Sequence, residues 1–258
     1  MEFEKMINTI QLGDCYEIIK QIPDKSVDLV IIDPPYSFCT GGKHTGLFRT
    51  RETRYHDQIE EHKLDKNIDL SILDELDRIM KKVNIYIWCN KEQIHQYLDH
   101  YENDKIKFEF IIWNKTNPIP TVNNKYLSDK EYCIYFKEKG VLLNGSVETK
   151  KTVYQTSLNV KDKEMFLHPT IKPLHIIKNL IINSSNENDI VFDCFCGSGT
   201  TCLGAKELNR RYIGIEIDEK FHKIATDRLN GILANGQMTI MFDEDGEVIS
   251  NGTKSNDN

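Results

Sequence analysis

Two short stretches carry side chains whose types and spacing could do chemistry. The first is Asp33-Pro34-Pro35-Tyr36, where the apolar run VDLVII stops abruptly. A carboxylate, a carbonyl on a ring-constrained backbone and a flat aromatic face follow in quick succession. Proline fixes φ, so the Pro34 carbonyl is aimed with little ordering entropy left to lose on binding. The second is Asp193-Cys194-Phe195-Cys196-Gly197-Ser198-Gly199-Thr200, which reads as a strand end, a tight glycine turn and a helix start. Gly197 and Gly199 would let the backbone approach a ligand closely. Glu216, 17 residues beyond Gly199 at the end of RYIGIEI, could accept hydrogen bonds from both hydroxyls of a ribose.

Three nucleotide-like readings of the glycine turn compete. A phosphate loop needs Gly-Lys-Ser/Thr, but Thr200 and Thr201 follow Gly199 with no lysine, so it is excluded. A dinucleotide fingerprint needs a third small residue where Cys202 stands, which weakens a nicotinamide cofactor. The third reading is a nucleoside cofactor without pyrophosphate. Asp193 would repel a pyrophosphate and attract an ammonium or a sulfonium, and S-adenosylmethionine carries both. A methyl sulfonium beside the turn gives the first stretch a task. An exocyclic amine on a nucleobase is a poor nucleophile, because its lone pair is delocalised into the ring. Asp33 and the Pro34 carbonyl could take its two N–H bonds and turn the lone pair out of plane. Asp33 would also stabilise the positive charge that develops, and Tyr36 could stack on the base.

These residues need elements that position them. TIQL, VDLVIID, NIYIWC, KFEFIIW, EYCIYF, DIVFD and RYIGIEID read as strands. CYEIIKQI, Asp69 to Val83, KEQIHQYLDHY, PLHIIKNLIINSS, TTCLGAKEL and EKFHKIATDRLNGIL read as helices. VDLVIID holds a continuous apolar run rich in Val and Ile, the mark of a strand covered on both faces. The alternation predicts one α/β domain over residues 1–250, with a mostly parallel central sheet and helices on both faces. Two long polar stretches are candidates for function: residues 37–67, a mobile loop after Tyr36, and residues 137–167. QMTIMFDEDGEVIS reads as a hairpin around Asp-Gly, and residues 251–258 as a disordered tail.

Composition sets limits. Hydrophobic residues at 39% and charged residues at 28% suit a globular chain, and no apolar run is long enough to span a membrane. No signal peptide is evident, and the seven scattered cysteines lack zinc-site spacing, so reduced thiols in the cytoplasm and no metal are expected. A net charge of −7 opposes a purely DNA-binding module. Lys43, Arg49, Arg51 and Arg54, directly after the Asp-Pro-Pro-Tyr turn, form a local basic exception.

DPPY together with FCGSG resembles the DNA amino-methyltransferases that make N6-methyladenine or N4-methylcytosine from S-adenosylmethionine. The catalytic motif precedes the cofactor motif, a permuted order similar to the family's β group. LGDCYEIIKQIPDKSVDLVIIDPPY, FIIWNKTNPIPTVNNKYLSDKEYCIYF and HPTIKP (residues 168–173) resemble further blocks of that group, over about residues 10 to 230. The resemblance implies a Rossmann-like methyltransferase domain. It implies that Asp33, Pro34 and Pro35 hold the target amine beside the cofactor, and that Tyr36 stacks on the base. Asp14 would bond the cofactor adenine, with Cys15 packed beside it, and Glu216 would hold the ribose. Asp193 and the segment Phe195, Cys196, Gly197, Ser198, Gly199 and Thr200 would surround the methionine part. Thr170 and Lys172 would face its carboxylate. Residues 137–167 lie where the group keeps its target-recognition region. DNA is the implied partner, single-stranded or with the target base flipped out, and Lys43, Arg49, Arg51 and Arg54 could grip its phosphates. Members of this group are often dimers, so a homodimer is an expected assembly, and a restriction-modification partner is compatible.

Asp33 points to adenine, because the cytosine-N4 enzymes more often begin this motif with Ser. Cytosine-N4 transfer is the alternative within the family. A nicotinamide-dependent dehydrogenase is the alternative of a different class, and it leaves DPPY and HPTIKP unexplained. RNA or protein-glutamine methyltransferases usually carry Asn at the position of Asp33.

Overall fold

The computed structural model describes residues 2–36, 68–118, 124, 126–157, 171–232, 241–242 and 248–249. Eight of the strands form one sheet: β1 (Thr9–Leu12), β2 (Leu29–Ile32), β3 (Asn84–Cys89), β4 (Ile106–Lys115), β5 (Lys130–Glu138), β6 (Val153–Thr156), β7 (Ile190–Asp193) and β8 (Arg211–Glu216). Their order is β1-β8-β7-β2-β3-β5-β4-β6. The pairs β1·β8, β8·β7, β7·β2, β2·β3 and β4·β6 are parallel, and β5 is antiparallel to both its neighbours. The expected mostly parallel α/β sheet is present. A separate ribbon pairs β9 (Met241–Phe242) with β10 (Val248–Ile249), in the place read as a hairpin.

The helices are α1 (Glu2–Met6), α2 (Cys15–Ile18), α3 (Ser71–Ile79), α4 (Ile94–Tyr101), α5 (Leu174–Ser184), α6 (Thr200–Glu207) and α7 (Glu219–Leu229), with a 3-10 turn at Ile19–Gln21. Alternation along the strands divides the core in two. Val30 and Ile32 of β2 pack with Ile72, Leu76 and Ile79 of α3 and Tyr97 and Tyr101 of α4. Leu29 and Ile31 pack on the other face with Ile177, Leu180 and Ile181 of α5 and Leu203 of α6. All four β2 residues and all six β3 residues are buried, which explains the unbroken apolar character of β2, while the buried Asn84 that opens β3 donates to the Asp28 and Ser184 carbonyls. Asp14 caps α2 by accepting from the Tyr16 amide at 2.9 Å, and Asp218 caps α7 by accepting from the amides of Lys220 and Phe221.

Two elements were not expected. Helix α1 is a single short turn. Strand β6 lies inside residues 137–167, which are therefore not loop throughout: Lys137 and Glu138 complete β5, and Val153–Thr156 adds an edge strand beside β4. An edge strand buries one side, and here Tyr154 alone is buried while Val153 is exposed. Four residues with one fully buried side chain carry no readable period.

The strand order places the site. From β2 the chain proceeds through α3 to β3 on one side, and from β7 through α6 to β8 on the other. The β7·β2 boundary is thus the switch point of the sheet, where a crevice opens at the carboxyl ends of the strands. Val30 pairs with Phe192. The two chemistry-bearing stretches, 160 residues apart from Asp33 to Asp193, therefore leave the sheet side by side.

Candidate functional site

Asp33 is partly exposed at the carboxyl end of β2 and lies among charged groups. Lys172, buried just before α5, donates to Asp33 Oδ2 and, at 3.2 Å, to the Tyr36 hydroxyl. Tyr36 donates its hydroxyl to Asp33 Oδ1 at 2.9 Å. Lys172 Nζ also lies 3.2 Å from Glu131 Oε2, and Lys115 Nζ lies 2.6 Å from Glu131 Oε1. Four charges of alternating sign, Asp33, Lys172, Glu131 and Lys115, thus form one row. Burial pushes the Asp33 carboxyl up from its ordinary value, against the pull of the Lys172 ammonium. Burial acts the same way on Glu131, but the ammonium groups of Lys172 and Lys115 win and bring it down to about 2. Both carboxylates push the Lys172 pKa up although burial opposes this.

The Pro-Pro turn is anchored from α4. Gln93, buried at the entrance to that helix, donates to the Pro35 carbonyl at 3.0 Å and accepts from the Asn90 amide at 3.2 Å. That occupies the second proline carbonyl. Among the described residues no hydrogen bond reaches the Pro34 carbonyl.

On the other side of the switch point, Gly197 and Gly199 both take positive φ, at 52° and 75°. A Cβ at Gly199 would lie 3.0 Å from the Ala225 Cβ, so packing of α7 against the turn, besides any ligand, requires glycine there. Glu216 closes the turn: Oε2 accepts from the Gly197 amide at 2.7 Å and Oε1 from the Asp218 amide at 2.9 Å. Each oxygen keeps a lone pair for a further donor, and burial pushes this carboxyl up. Arg228 reaches under the turn to the Ser198 carbonyl and the Thr200 hydroxyl at 3.1 and 2.8 Å.

Asp193 is buried and accepts from the Phe195 amide at 3.0 Å. Burial pushes its carboxyl up to about 7, and no cation is among the groups that act on it. A buried carboxylate so placed suits a cationic ligand, which would restore its ionised form. Asp14 and Cys15 join this edge because Leu12 pairs with Glu216 and the Gly13 amide donates to the Glu216 carbonyl at 2.9 Å. The residues expected to meet adenine and ribose are neighbours in space.

Of the expected residues, Asp14, Cys15, Asp33, Pro34, Pro35, Tyr36, Lys172, Asp193, Phe195 to Thr200 and Glu216 lie along this edge. Lys172 sits on Asp33, a partner that the sequence did not reveal. Thr170, His168, Lys43, Arg49, Arg51 and Arg54 lie outside the described residues, as do the stretches 37–67 and 251–258 and part of 137–167. The sequence reading gave no role to Glu131, Lys115, Gln93, Trp88 or Arg228, and Lys115 entered it only within the block beginning FIIWNK. A signal existed for the first two: a charge opening the apolar strand EYCIYF, and another two residues beyond Trp113. Register makes it legible, since Trp113 pairs with Glu131. Trp88 is buried with its ring 5.3 Å from Lys172 Nζ, a contact that no spacing announces.

Known proteins share this architecture. The family model for N6 and N4 methyltransferases, described as DNA methylase, matches residues 27–227. Type II methyltransferase M.HinfI of Haemophilus influenzae is 34% identical over 257 residues, spanning 89% of this chain and 70% of its own length. Type II methyltransferase M2.LlaDCHI of Lactococcus lactis subsp. cremoris is 29% identical, spanning 88% and 91%. The crystal structure of the M1.HpyAVI–SAM complex matches at a TM-score of 0.64 and 28% identity, over 86% of this chain and 98% of that one. The cytosine-N4-specific PvuII DNA methyltransferase shares the fold, with a TM-score of 0.60, 17% identity and 85% of each chain covered. With Asp-Pro-Pro-Tyr and the Asp193 turn flanking one switch point and the family model spanning most of the chain, the protein belongs to the N6/N4 DNA methylases, which take their methyl group from S-adenosylmethionine.

Proposed function

We propose that this methylase is specific for the N6 amine of adenine within a short DNA sequence. The observation that carries the reading is the juxtaposition of Asp33-Pro34-Pro35-Tyr36 and the Asp193 turn across the β7·β2 boundary. S-adenosylmethionine supplies the electrophilic methyl group. The chain supplies orientation and charge. Asp33 and the Pro34 carbonyl accept the two N–H bonds of the amine and aim its lone pair. Pro35, held by Gln93, keeps the turn rigid. Tyr36 stacks on the base, and Asp33 stabilises the charge that grows on the amine nitrogen. Asp193 faces the cationic part of the cofactor, Glu216 the ribose, and Asp14 with Cys15 the adenine. Asp33 in place of Ser supports adenine over cytosine.

A base inside a duplex is out of reach of a crevice at the sheet edge, so the target nucleotide flips out or is single-stranded. Lys43, Arg49, Arg51 and Arg54 grip its phosphates, and residues 137–167 contribute to site recognition. The working form is a homodimer in the cytoplasm, acting with a restriction partner.

The test is methyl transfer to unmethylated duplex and single-stranded DNA, followed by digestion and nucleoside mass spectrometry. N6-methyladenine is expected. N4-methylcytosine as the product would overturn the use of Asp33 to choose the base and leave the site in place.

A further inference from the structure

The row Asp33–Lys172–Glu131–Lys115 poses a problem for the reaction. Asp33 must accept from the target amine, yet its Oδ2 already holds the Lys172 ammonium and its Oδ1 the Tyr36 hydroxyl. An ammonium in contact also cancels much of the negative charge that a developing cation would feel. The ammonium has a second seat within reach: Glu131 Oε2 lies 3.2 Å from the same Nζ. It is a poorly used seat, since Glu131 Oε2 is buried and makes no hydrogen bond of good geometry. Lys115, at 2.6 Å from the other oxygen, holds the Glu131 carboxylate in place and ionised. The Trp88 and Tyr36 rings, 5.3 and 5.4 Å from Nζ, line the cation's position with π faces that favour a positive charge.

We propose that Glu131, braced by Lys115, is a positioning residue that takes the Lys172 ammonium from Asp33 when the target amine docks. The shift needed is a small one, from contact with one carboxylate to contact with the next, and no charge leaves the row. Asp33 Oδ2 is then free for the amine. In the absence of DNA the same ammonium neutralises Asp33 and so lowers the cost of keeping a partly buried carboxylate ionised. No bond forms or breaks in the handover, which is a movement of one protonated side chain between two acceptors.

The inference deepens the methyl-transfer reading of Asp33 and rests on it, and the test separates the two. Methyl transfer is measured at saturating S-adenosylmethionine for the wild type, for E131Q and for the double variant E131Q/K172M, with cofactor affinity by calorimetry as the check on folding. Glutamine keeps the shape of Glu131 but gives the ammonium no charged seat, so Lys172 stays on Asp33. The expected result is a fall in kcat of roughly 10- to 100-fold for E131Q, with cofactor affinity retained. In E131Q/K172M no ammonium blocks Asp33, and kcat recovers part of the loss. E131Q at the wild-type rate overturns the handover, as does a double variant slower than E131Q while still binding cofactor. A wild type that methylates neither DNA overturns instead the reading on which the handover rests. A merely structural Glu131 would give additive losses, because the double variant removes two buried partners rather than one.

Discussion

At the residue scale, the site is a set of carboxylates given different work by their surroundings. Asp33 faces an ammonium and a phenol, Glu216 two backbone amides, and Asp193 one amide, the Thr201 side chain and no cation. In the proposed mechanism Asp33→Ala removes the acceptor that orients the amine. Transfer is expected to fall by orders of magnitude while calorimetry still registers cofactor binding. Transfer at the wild-type rate would remove Asp33 from the mechanism. Asp193 gives a pH prediction. Its folded pKa of about 7 is raised from 3.8. The ligand-free protein therefore binds more protons than the unfolded chain between those values. This group's contribution to stability declines as pH rises through that window and is least favourable above it. A cationic ligand prefers the ionised form, so its binding expels the proton. Cofactor affinity is expected to rise between about pH 5.5 and pH 7 by this linkage. Asp193→Asn should flatten that part of the profile, as titration calorimetry at several pH values would show. An equally steep profile in the variant would assign the effect to another group.

At the element scale, the glycine turn depends on the strand beneath it as much as on its own glycines. Gly214 of β8 faces the turn, and a Cβ there would come within 2.8 Å of Cys202 Sγ and 2.9 Å of Cys196 Sγ. The two thiols, 3.6 Å apart and buried, fill the space between β8 and α6. Gly214→Ala overpacks this point and should cost about 1–3 kcal/mol, read as a lower urea midpoint. It should also weaken cofactor binding, because Cys196 belongs to the turn and would be displaced. A variant with wild-type midpoint and affinity would mean that the thiols yield freely. Strand β6 teaches a related point. It contributes the Thr156 hydroxyl that accepts from the Trp113 indole at 2.7 Å, so an element of four residues is tied to the strand carrying Lys115. Its sequence, VYQT, buries one side chain fully and is too short for a period to betray it.

At the scale of the whole molecule, the order of strands rather than any one of them makes the site. Because β7 pairs with β2, the strands that flank the glycine turn sit beside the strand that leads to Asp33. The motif order along the sequence is then of no consequence for the geometry. A nucleoside cofactor spanning Asp14, Glu216 and Asp193 would bridge β1, β8 and β7 and stabilise all three at once. S-adenosylmethionine at about 100 times its dissociation constant should stabilise the fold by about 2.7 kcal/mol, visible as a higher melting temperature. Nicotinamide dinucleotide should leave it unchanged. The reverse pattern would favour the dehydrogenase alternative.

The amino-acid sequence by itself determined the chemistry and the class of fold. Asp33-Pro34-Pro35-Tyr36, Asp193 with its glycines, and Glu216 are local patterns, because strand ends and tight turns leave their marks in adjacent residues. The α/β alternation is local for the same reason, since burial on both faces makes β2 apolar throughout and β3 largely so. Only the tertiary structure decided the company these residues keep. That Lys172 stands between Asp33 and Glu131, that β5 runs antiparallel to β3, and that Gln93 holds the Pro35 carbonyl are long-range facts. Lys172 and Asp33 are 139 residues apart in the chain. A charge pair at that separation follows from which strands are neighbours in the sheet, and strand pairing is set by packing across the whole core rather than by any stretch of sequence.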